Sequence, residues 1–325
     1  MIVRKYPADS GHTTVINNLC TELQKLGYKT GIGAFDFTSD PPNNIDKVKL
    51  NKFQLLLHGL EILDYDVIFL HQSYPSYYLL TRKSNKQVIF YYHGASNQIQ
   101  KINFRISMKL YKKRFSKIIS VSETGVNQMK KMIGDVTANV IYNGVNTNFY
   151  NPELPKPFKK GAPQLLFVSA LRPYKKTSLL IGFMPNLLKK YPNAHLQIVG
   201  NGEDKPLLDN LVKEMNLEKN IELTGRISND ELKLRYSSCD VYVSASTFEA
   251  CPVPTLEAMA CGKPLVLFDI EPHEEIIEIS NAGKIFSFEQ NSDFLTIFEH
   301  VYKNKDLYKE SALKFAKTHD WKTIT

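Results

Sequence analysis

The strongest constraint on the fold of this chain is a regular alternation between short apolar runs and stretches with helical period, which continues almost from end to end. Helical period is clearest in residues 12–27, where Val15, Leu19 and Leu23 recur at a spacing of four. Apolar runs of strand length lie near 29–35, 66–71, 87–92, 117–121, 138–142, 164–169, 194–199, 220–224, 240–244, 264–268 and 284–286. This alternation is typical of parallel β-sheets covered by helices, so an α/β fold is predicted.

A proline-rich stretch divides the alternation into two halves. With 325 residues the chain is long enough for two domains that each bury a core. The stretch Asn146 to Pro163 contains four prolines and no periodic pattern, which predicts a linker. We therefore expect an N-terminal domain of residues 1–150 and a C-terminal domain of residues 151–325. A ligand site is expected in a cleft between them, where strand and helix ends meet.

Composition is that of a soluble globular protein. The hydrophobic fraction of 43% and the charged fraction of 23% are near average, which argues against a disordered or fibrous chain. No apolar run approaches the roughly 18 residues that span a bilayer, and MIVRKYPADSGH has no apolar signal-peptide core, so a cytoplasmic location is expected. The four cysteines show no C-x-x-C spacing, which favours buried free thiols over a zinc site or disulfides.

One segment carries charge of a single sign. The net charge is +8, and no acidic residue occurs between Asp66 and Glu123. Ten basic residues fall in that interval, and seven of them lie from Lys101 to Lys117. Such a block indicates an anionic partner, which leaves nucleic acid, anionic lipid and a phosphorylated substrate open.

The segment most informative about chemistry reads FEACPVPTLEAMACGKP and contains Glu249 and Glu257. Glu249 follows a predicted strand and precedes two prolines, which suit the entry of a helix because the missing amide donor costs nothing there. Free amides at that helix start, around Cys251, Pro252 and Val253, would favour a diphosphate together with the positive end of the helix dipole. The two carboxylates could then accept hydrogen bonds from sugar and ribose hydroxyls, or they are two exposed glutamates beside an ordinary helix start.

The same segment resembles the E-x7-E motif of the family 4 glycosyltransferases, in the form E-x-C-P-x-x-x-L-E-A-M-A-C-G-x-P-x-V from Glu249 to Val266. The resemblance covers residues 7 to about 322 and implies the GT-B fold, two facing Rossmann-like domains with a cleft between them. It implies a retaining transfer of a sugar from a UDP- or GDP-linked donor to a glycan, a lipid-linked or another hydroxyl acceptor, without a metal or other cofactor. It also assigns Glu249 to the sugar hydroxyls and Glu257 to the ribose.

Two further segments resemble donor-binding parts of this family. VSALRPYKKTSLLI resembles the strand, turn and helix that bear a phosphate-binding arginine and lysine. Lys175 matches the lysine, whereas the arginine position is Ala170, so Arg172 is the substitute that the sequence offers. The nucleotide base is expected beside the backbone of Gly225, Arg226 and Ile227.

The first half resembles the family at fewer points. The run VIFYYHG contains His93, where the family has a histidine that reaches the donor sugar. Gly11 matches one glycine of the pair that precedes the first helix in the family, and His12 takes the place of the other. We therefore predict His93 as a catalytic residue beside Glu249 and Lys175, and Gly11 as a donor contact.

Two other motifs point to different sites and are set aside. Asp64-Tyr65-Asp66 spells the D-x-D of metal-dependent glycosyltransferases, but it precedes a predicted strand, so a turn role is expected and no metal site is predicted. Gly200-x-Gly202 lacks the third glycine and the acidic residue of a dinucleotide fingerprint.

The basic stretch Lys101 to Lys117 remains to be assigned a partner. Related enzymes dock on membranes through a basic helix of the first domain, so the resemblance implies an anionic membrane surface and a peripheral location on its inner face. Nucleic acid is not expected, because no nucleic-acid-binding motif accompanies the charge. A sugar-nucleotide 2-epimerase and a catalytically silent partner subunit share the same scaffold and remain alternatives.

Overall fold

The computed structural model describes residues 1–7, 11–42, 44–77, 81, 85–287 and 293–325. The chain forms two compact units, the first made of Met1–Asn143 with Trp321–Thr325 and the second of Gly144–Asp320. The sequence instead places the division after residue 150 and keeps the C-terminal end in the second domain. The stretch expected to be a linker therefore belongs to the second unit, and the chain returns to the first unit at its end.

In the described part of the first unit, the strands form one parallel sheet in the order β3-β2-β1-β4-β5-β6-β7. The strands are β1 (Ile2–Tyr6), β2 (Gly31–Phe37), β3 (Asp46–Lys49), β4 (Val67–Leu70), β5 (Gln87–Tyr92), β6 (Lys117–Ser120) and β7 (Asn139–Val140). The helices are α1 (His12–Lys25), α2 (Lys52–His58), α3 (Gln98–Tyr111) and α4 (Glu123–Ile133), with 3-10 turns at Gly59–Ile62 and Lys112–Arg114. Trp321–Ile324, the last helix of the chain (α12), packs against α1.

The second unit repeats this plan with the parallel strand order β10-β9-β8-β11-β12-β13 among its described residues. The strands are β8 (Gln164–Val168), β9 (His195–Val199), β10 (Ile221–Gly225), β11 (Val241–Ser244), β12 (Leu265–Phe268) and β13 (Gly283–Phe286). The helices are α5 (Thr177–Lys190), α6 (Lys205–Glu214), α7 (Asn229–Ser238), α8 (Val253–Ala260), α9 (Glu271–Ser280), α10 (Phe294–Lys303) and α11 (Lys305–Thr318), with a 3-10 turn at Pro173–Lys175.

Burial on both sheet faces explains why the strands are so apolar. In the second unit, inward side chains of four neighbouring strands are at most 1% exposed, among them Leu165, Ile198, Val243 and Val266. Helices cover both faces of such a sheet, so its central strands have no polar face to present. Each predicted strand overlaps an observed one, whereas no predicted run corresponds to β1 or β3. The sequence of β3, DKVK, lies at a sheet edge and is largely exposed.

In each sheet, successive strands are added first towards one edge and then, from one point on, towards the other edge. That point of reversal locates the site in each unit. The reversal lies between β1 and β4 in the first unit and between β8 and β11 in the second. Open parallel sheets of this kind bind ligands beyond the carboxyl ends of their strands at the reversal. The loops that follow these four strands are therefore the places to look for functional side chains.

Candidate active site

Two loops of the second unit bring predicted catalytic residues into contact. The turn Pro173–Lys175 follows β8, and Glu249 lies in the loop between β11 and α8. Lys175 Nζ lies 2.5 Å from Glu249 Oε1, and the two side chains are 13% and 15% exposed. The structure thus joins Lys175 and Glu249 in one ion pair at the strand reversal, although 73 residues separate them in the sequence.

The two loops are also tied together beside this pair. The backbone amide and the hydroxyl of Thr247 both donate to the carbonyl of Tyr174, at 2.8 and 3.0 Å. The ring of Tyr174 meets the ring of Phe248 edge to face at 6.2 Å, and Lys175 Nζ lies 5.2 Å from the Tyr174 ring centre. These contacts fix the directions from which the ammonium and the carboxylate approach each other.

The loop between β8 and the Pro173–Lys175 turn is held by close backbone packing against the loop after β9. A β-carbon at Gly200 would lie 1.8 Å from the carbonyl oxygen of Ser169, and one at Gly202 would lie 2.1 Å from that of Leu171. The Leu171 amide donates to the Asn201 carbonyl at 3.0 Å. The G-x-G pattern therefore serves backbone contact between two loops, which agrees with setting it aside as a dinucleotide fingerprint.

Arg172 lies on this same loop, directly before the Pro173–Lys175 turn, and is half-buried. Ala170, which stands where the family has its arginine, is exposed. Arg172 is thus close to Lys175 along the chain, and its substitution for the missing arginine stays a prediction.

The helix that carries Glu257 begins as the prolines indicate. Pro252 immediately precedes α8, and Pro254 occupies its first turn. Cys251 and Val253 are each 8% exposed. Because proline has no amide and the Thr255 amide donates to the Pro252 carbonyl at 3.1 Å, the first turn offers an anion fewer donors than an ordinary helix start.

Glu257 itself is buried and already hydrogen-bonded. The residue is 8% exposed, and its carboxyl oxygen Oε2 accepts a hydrogen bond from the Tyr236 hydroxyl at 2.8 Å. Tyr150 also hydrogen-bonds to the carboxyl group. Burial raises the pKa of Glu257 to about 7, and the two phenols oppose that rise. A contact from Glu257 to ribose remains a prediction, and it would have to be made beside these two tyrosines.

The predicted base-binding backbone begins at the last residue of β10. Gly225 is buried and its carbonyl accepts the Gly200 amide at 2.9 Å, while Arg226 is exposed and Ile227 half-buried. The aliphatic chain of Lys205 lies beside Gly225, and Lys205 Nζ bonds to Asp209 at 2.7 Å. Sequence reasoning did not single out Lys205, because a lysine in the first turn of a helix has no distinctive pattern.

Three histidines gather at the strand reversal of the first unit. His71 directly follows β4, His93 directly follows β5, and His12 begins α1 after β1. Nδ1 of His71 lies 2.9 Å from Nε2 of His93, and the ring centres of His12 and His93 are 4.4 Å apart. The sequence predicted His93 but missed His71, although the run VIFLH has the same form as the run that ends in His93.

Burial keeps this histidine cluster neutral. Desolvation lowers the pKa of His12 to about 4 and holds the pKa values of His71 and His93 well below their ordinary value. Near pH 7 their rings therefore act as neutral hydrogen-bonding groups. Among the described residues, no three histidine, cysteine or carboxylate side chains are grouped so as to hold a metal ion.

The two weaker motifs of the first half are placed as follows. Gly11 is exposed and immediately precedes α1, while residues 8–10 of the loop before it lie outside the described residues. In the D-x-D motif, Asp64 pairs with Lys29 at 3.1 Å, and the Tyr65 hydroxyl donates to Asp46 at 2.7 Å. These contacts secure the turn before β4, in agreement with the turn role expected for this motif.

Comparison with known proteins places this arrangement in a class. HepE of Anabaena, solved in complex with UDP and glucose, matches with a TM-score of 0.82 at 17% identity over 99% of this chain and 96% of that chain. Two Rossmann-type sheets with this similarity define a GT-B glycosyltransferase fold, so the predicted fold class is confirmed. The described residues contain no helix with the length and apolar character needed to cross a bilayer.

The chain belongs to the family "Glycosyl transferases group 1", whose model matches residues 153–317, and the "Glycosyltransferase Family 4" model matches residues 10–149. The alpha-monoglucosyldiacylglycerol synthase of Acholeplasma laidlawii is 25% identical over 93% of this chain and 87% of its own length. An uncharacterised glycosyltransferase of Methanocaldococcus jannaschii is 27% identical over 97% of this chain and 92% of its own. The predicted family and the glycosyltransferase activity are confirmed.

Proposed function

We propose that this glycosyltransferase moves a sugar, with retention of its anomeric configuration, from a UDP- or GDP-linked donor to a hydroxyl of a lipid-linked or glycan acceptor. The observation that carries the proposal is the Lys175–Glu249 pair at the strand reversal of the second unit, with its 2.5 Å contact. An ammonium and a carboxylate side by side at that position can meet a diphosphate and a sugar at neighbouring points.

The chemistry of the pair suits both ligands at once. The Lys175 ammonium has three N–H donors, of which Glu249 engages one, so others can bind the phosphate oxygens. The Glu249 carboxylate can accept hydrogen bonds from sugar hydroxyls with its remaining lone pairs. Positive charge beside the diphosphate stabilises the negative charge that develops on it as it leaves.

Retention follows if the acceptor attacks from the face that the diphosphate leaves. The bond from the anomeric carbon to the phosphate oxygen breaks, the bond to the acceptor oxygen forms, and the acceptor proton passes to the departing phosphate. This step uses no carboxylate nucleophile and no metal, so the protein supplies charge and hydrogen bonds instead. Turnover is accordingly expected to persist in the presence of a strong chelator.

Two comparisons suggest which substrates to try first. HepE was solved with UDP and with UDP-glucose, which supports a UDP-sugar as the donor. The name of the Acholeplasma relative specifies a glucosyldiacylglycerol product, which supports a diacylglycerol-based acceptor. We propose a diacylglycerol-based lipid acceptor that is met at the cytoplasmic face of a membrane.

Helix α3 supplies a surface that fits such a membrane. Its buried side is formed by Phe104, Met108 and Tyr111. On its outer side four aliphatic residues recur at spacings of three and four, so they form one line along the helix. They are Ile99 at 72%, Ile102 at 50%, Ile106 at 44% and Leu110 at 46% exposure.

A row of basic residues borders this apolar line. Lys101, Arg105 and Lys109 follow one another at a spacing of four, and Lys112 and Lys113 continue the basic segment beyond the helix. Such a surface matches an anionic bilayer. The aliphatic side chains can enter the apolar interior, and the cations are attracted by the anionic headgroups. The predicted basic stretch is therefore proposed as a peripheral membrane surface.

Sedimentation with liposomes tests this surface. Replacing Lys101, Arg105 and Lys109 by Gln removes three cations worth about 1 kcal/mol each near anionic lipid, so binding is expected to fall by about 100-fold. Replacing three exposed lysines of the second unit, Lys303, Lys314 and Lys317, by Gln is the matched control and should change binding little. Equal binding to neutral and anionic vesicles would contradict the proposal.

A screen of UDP- and GDP-sugars with a diacylglycerol acceptor tests the transfer itself. Glu249→Gln and Lys175→Met are each expected to lower transfer by at least about 100-fold, because each removes a charge beside the diphosphate or the sugar. Lys190→Met breaks the Lys190–Glu299 pair, which also measures 2.5 Å but lies elsewhere, and is expected to retain activity.

The alternatives give different results in the same screen. Conversion of UDP-N-acetylglucosamine to its manno epimer without any acceptor would identify an epimerase. Absence of both transfer and donor hydrolysis with every sugar nucleotide would favour a silent partner subunit. Near-normal turnover in Glu249→Gln would show that the site has been assigned to the wrong residues.

A further inference from the structure

The contact between His71 and His93 has the geometry of a planar hydrogen bond between two imidazoles. The two ring planes differ by 25° and their centres lie 5.2 Å apart, while Nδ1 of His71 and Nε2 of His93 are 2.9 Å apart. At that separation one nitrogen must carry a proton and the other a lone pair. The tautomers of the two rings are therefore linked.

The second nitrogen of His71 decides which way the bond runs. Nε2 of His71 lies 3.2 Å from the sulfur of Met1. A thioether sulfur is an acceptor only, so a proton on Nε2 makes this a weak hydrogen bond, whereas a lone pair there would face another lone pair. With its proton on Nε2, neutral His71 has a lone pair on Nδ1 and accepts from Nε2–H of His93.

We propose that His71 is a positioning residue, which holds the His93 proton on Nε2 and so makes Nδ1 of His93 a hydrogen-bond acceptor for a hydroxyl of the donor sugar. The last step of this inference rests on the proposed function, and the coupling between the two rings does not.

The surroundings keep His71 suited to this role. His71 is 2% exposed, and its ring stacks on Tyr91, which also stacks on His93. Such enclosure limits rotation of the His71 ring, and desolvation opposes the protonated state that would reverse the hydrogen bond. The pair thus has one arrangement available near neutral pH.

Nitrogen-15 NMR of the full chain, labelled at its histidines, tests the coupling without any ligand. The signals of His93 are identified by their loss in His93→Gln. We expect His93 and His71 both to carry the proton on Nε2. In His71→Phe, which removes the acceptor, His93 should become a mixture of tautomers, and in His71→Asn, whose amide oxygen can replace Nδ1, the wild-type tautomer should return. A wild-type His93 protonated on Nδ1 overturns the inference, even if His71→Phe fails to fold.

Kinetics then test the step that involves the sugar. His71→Phe is expected to lower turnover of the donor about tenfold, as for loss of one ordinary hydrogen bond, and His71→Asn to restore most of it. UDP affinity should not change, since UDP lacks the transferred sugar that would contact His93. In a His93→Ala background, His71→Phe should have no further effect, as expected when one residue acts through the other.

The two sets of measurements separate two kinds of failure. If the spectra show the coupling but His93→Ala leaves turnover unchanged, the sugar contact proposed for His93 is wrong and the linked tautomers stand. If His71→Phe lowers turnover equally with and without His93, His71 acts through the general packing of the first unit, and the inference is overturned.

Discussion

Lys175 and Glu249 illustrate how single residues combine stability with function. Each side chain is largely withdrawn from water, so each charge is tolerated mainly because the other is 2.5 Å away. Before the donor arrives, Glu249 compensates the ammonium that is proposed to bind the diphosphate. The pair therefore keeps a cation ready in a place where an unpaired one would be unfavourable.

This dependence predicts an unequal response to single and double substitution. Lys175→Met leaves the Glu249 carboxylate unpaired and is expected to lower the free energy of unfolding by about 1–3 kcal/mol. Lys175→Met combined with Glu249→Gln should recover part of that loss, which urea unfolding can measure. The control Lys190→Met breaks a pair whose lysine is 52% exposed, so its effect should not exceed about 1 kcal/mol. The account would be contradicted if the double variant lost more free energy of unfolding than the two single variants lose together.

Glu257 predicts a pH dependence of stability. Its pKa is raised to about 7 in the folded chain, so the folded state binds the proton more tightly than the unfolded state, whose carboxyl titrates near 4.5. The stability that this contributes is complete below pH 4.5 and is lost as the pH rises through 7. Glu257→Gln cannot ionise, so it should gain stability relative to the wild type between pH 5 and pH 8, by up to about 3 kcal/mol. Calorimetry at the two pH values measures the gain. If the difference in stability between Glu257→Gln and the wild type is the same at both pH values, the carboxyl ionises as easily in the folded chain as in the unfolded chain.

At the scale of elements, the site depends on loops that follow neighbouring strands and touch through their backbones. The loop after β8 carries Arg172 and Lys175, and its path is set by the loop after β9, where Gly200 and Gly202 allow carbonyl groups to approach closely. Most side chains of strands β8 and β9 are apolar and buried, whereas these two loop positions tolerate no β-carbon. The position of Lys175 is thus a consequence of loop packing as well as of its own turn.

Gly200→Ala is therefore expected to destabilise the second unit. The added β-carbon would meet the Ser169 carbonyl oxygen at 1.8 Å, and the backbone angle φ of 138° is one that alanine rarely adopts. The expected loss is at least about 2 kcal/mol, measured as a lower thermal midpoint. Gly182→Ala is the matched control: Gly182 lies in the interior of α5 with open space around it, so alanine should stabilise the chain by about 0.5–1 kcal/mol. Equal effects at the two positions would rule out the backbone contact as the cause.

At the scale of the whole molecule, acid is expected to weaken the first unit. That unit contains three histidines whose pKa values are lowered by burial. Between pH 6.5 and pH 4.5 the unfolded first unit gains protons that its folded form does not bind. In the second unit the lowered pKa values of His195, His273 and His319 oppose the effect of Glu257.

The single tryptophan makes the acid response of the first unit measurable. Trp321 belongs to the first unit and is 2% exposed, so its fluorescence reports unfolding of that unit. As the pH falls from 6.5 towards 4.5, the urea midpoint seen by fluorescence should decrease, because the free energy of unfolding falls by up to about 1.4 kcal/mol per histidine for each pH unit. In a His12→Asn variant the decrease should be smaller. A fluorescence midpoint that does not change with pH over this range would contradict the neutral state of the cluster.

The sequence by itself determined the α/β class and most of the strands, and it predicted the donor-binding residues of the second unit. Apolar runs become buried strands wherever helices cover both faces of a sheet, and the segment around Glu249 and Glu257 is local in sequence, so its pattern is readable directly. The exposed edge strand β3 escaped prediction because no burial enforces an apolar pattern there. The roles assigned to the site residues remain predictions from the resemblance, for Glu249, Glu257, Lys175 and His93 as much as for Arg172, Gly225 and Gly11.

Only the tertiary structure decided which side chains meet. The Lys175–Glu249 pair, the tyrosines around Glu257 and the hydrogen bond between His71 and His93 each join residues distant along the chain. The return of Trp321–Thr325 to the first unit is of the same kind. The hydrophobic period of a segment shows which of its faces is buried, but it does not show which other segment packs on that face. Strand order brings these loop ends together, and strand order is set by the packing of the whole unit rather than by any one segment.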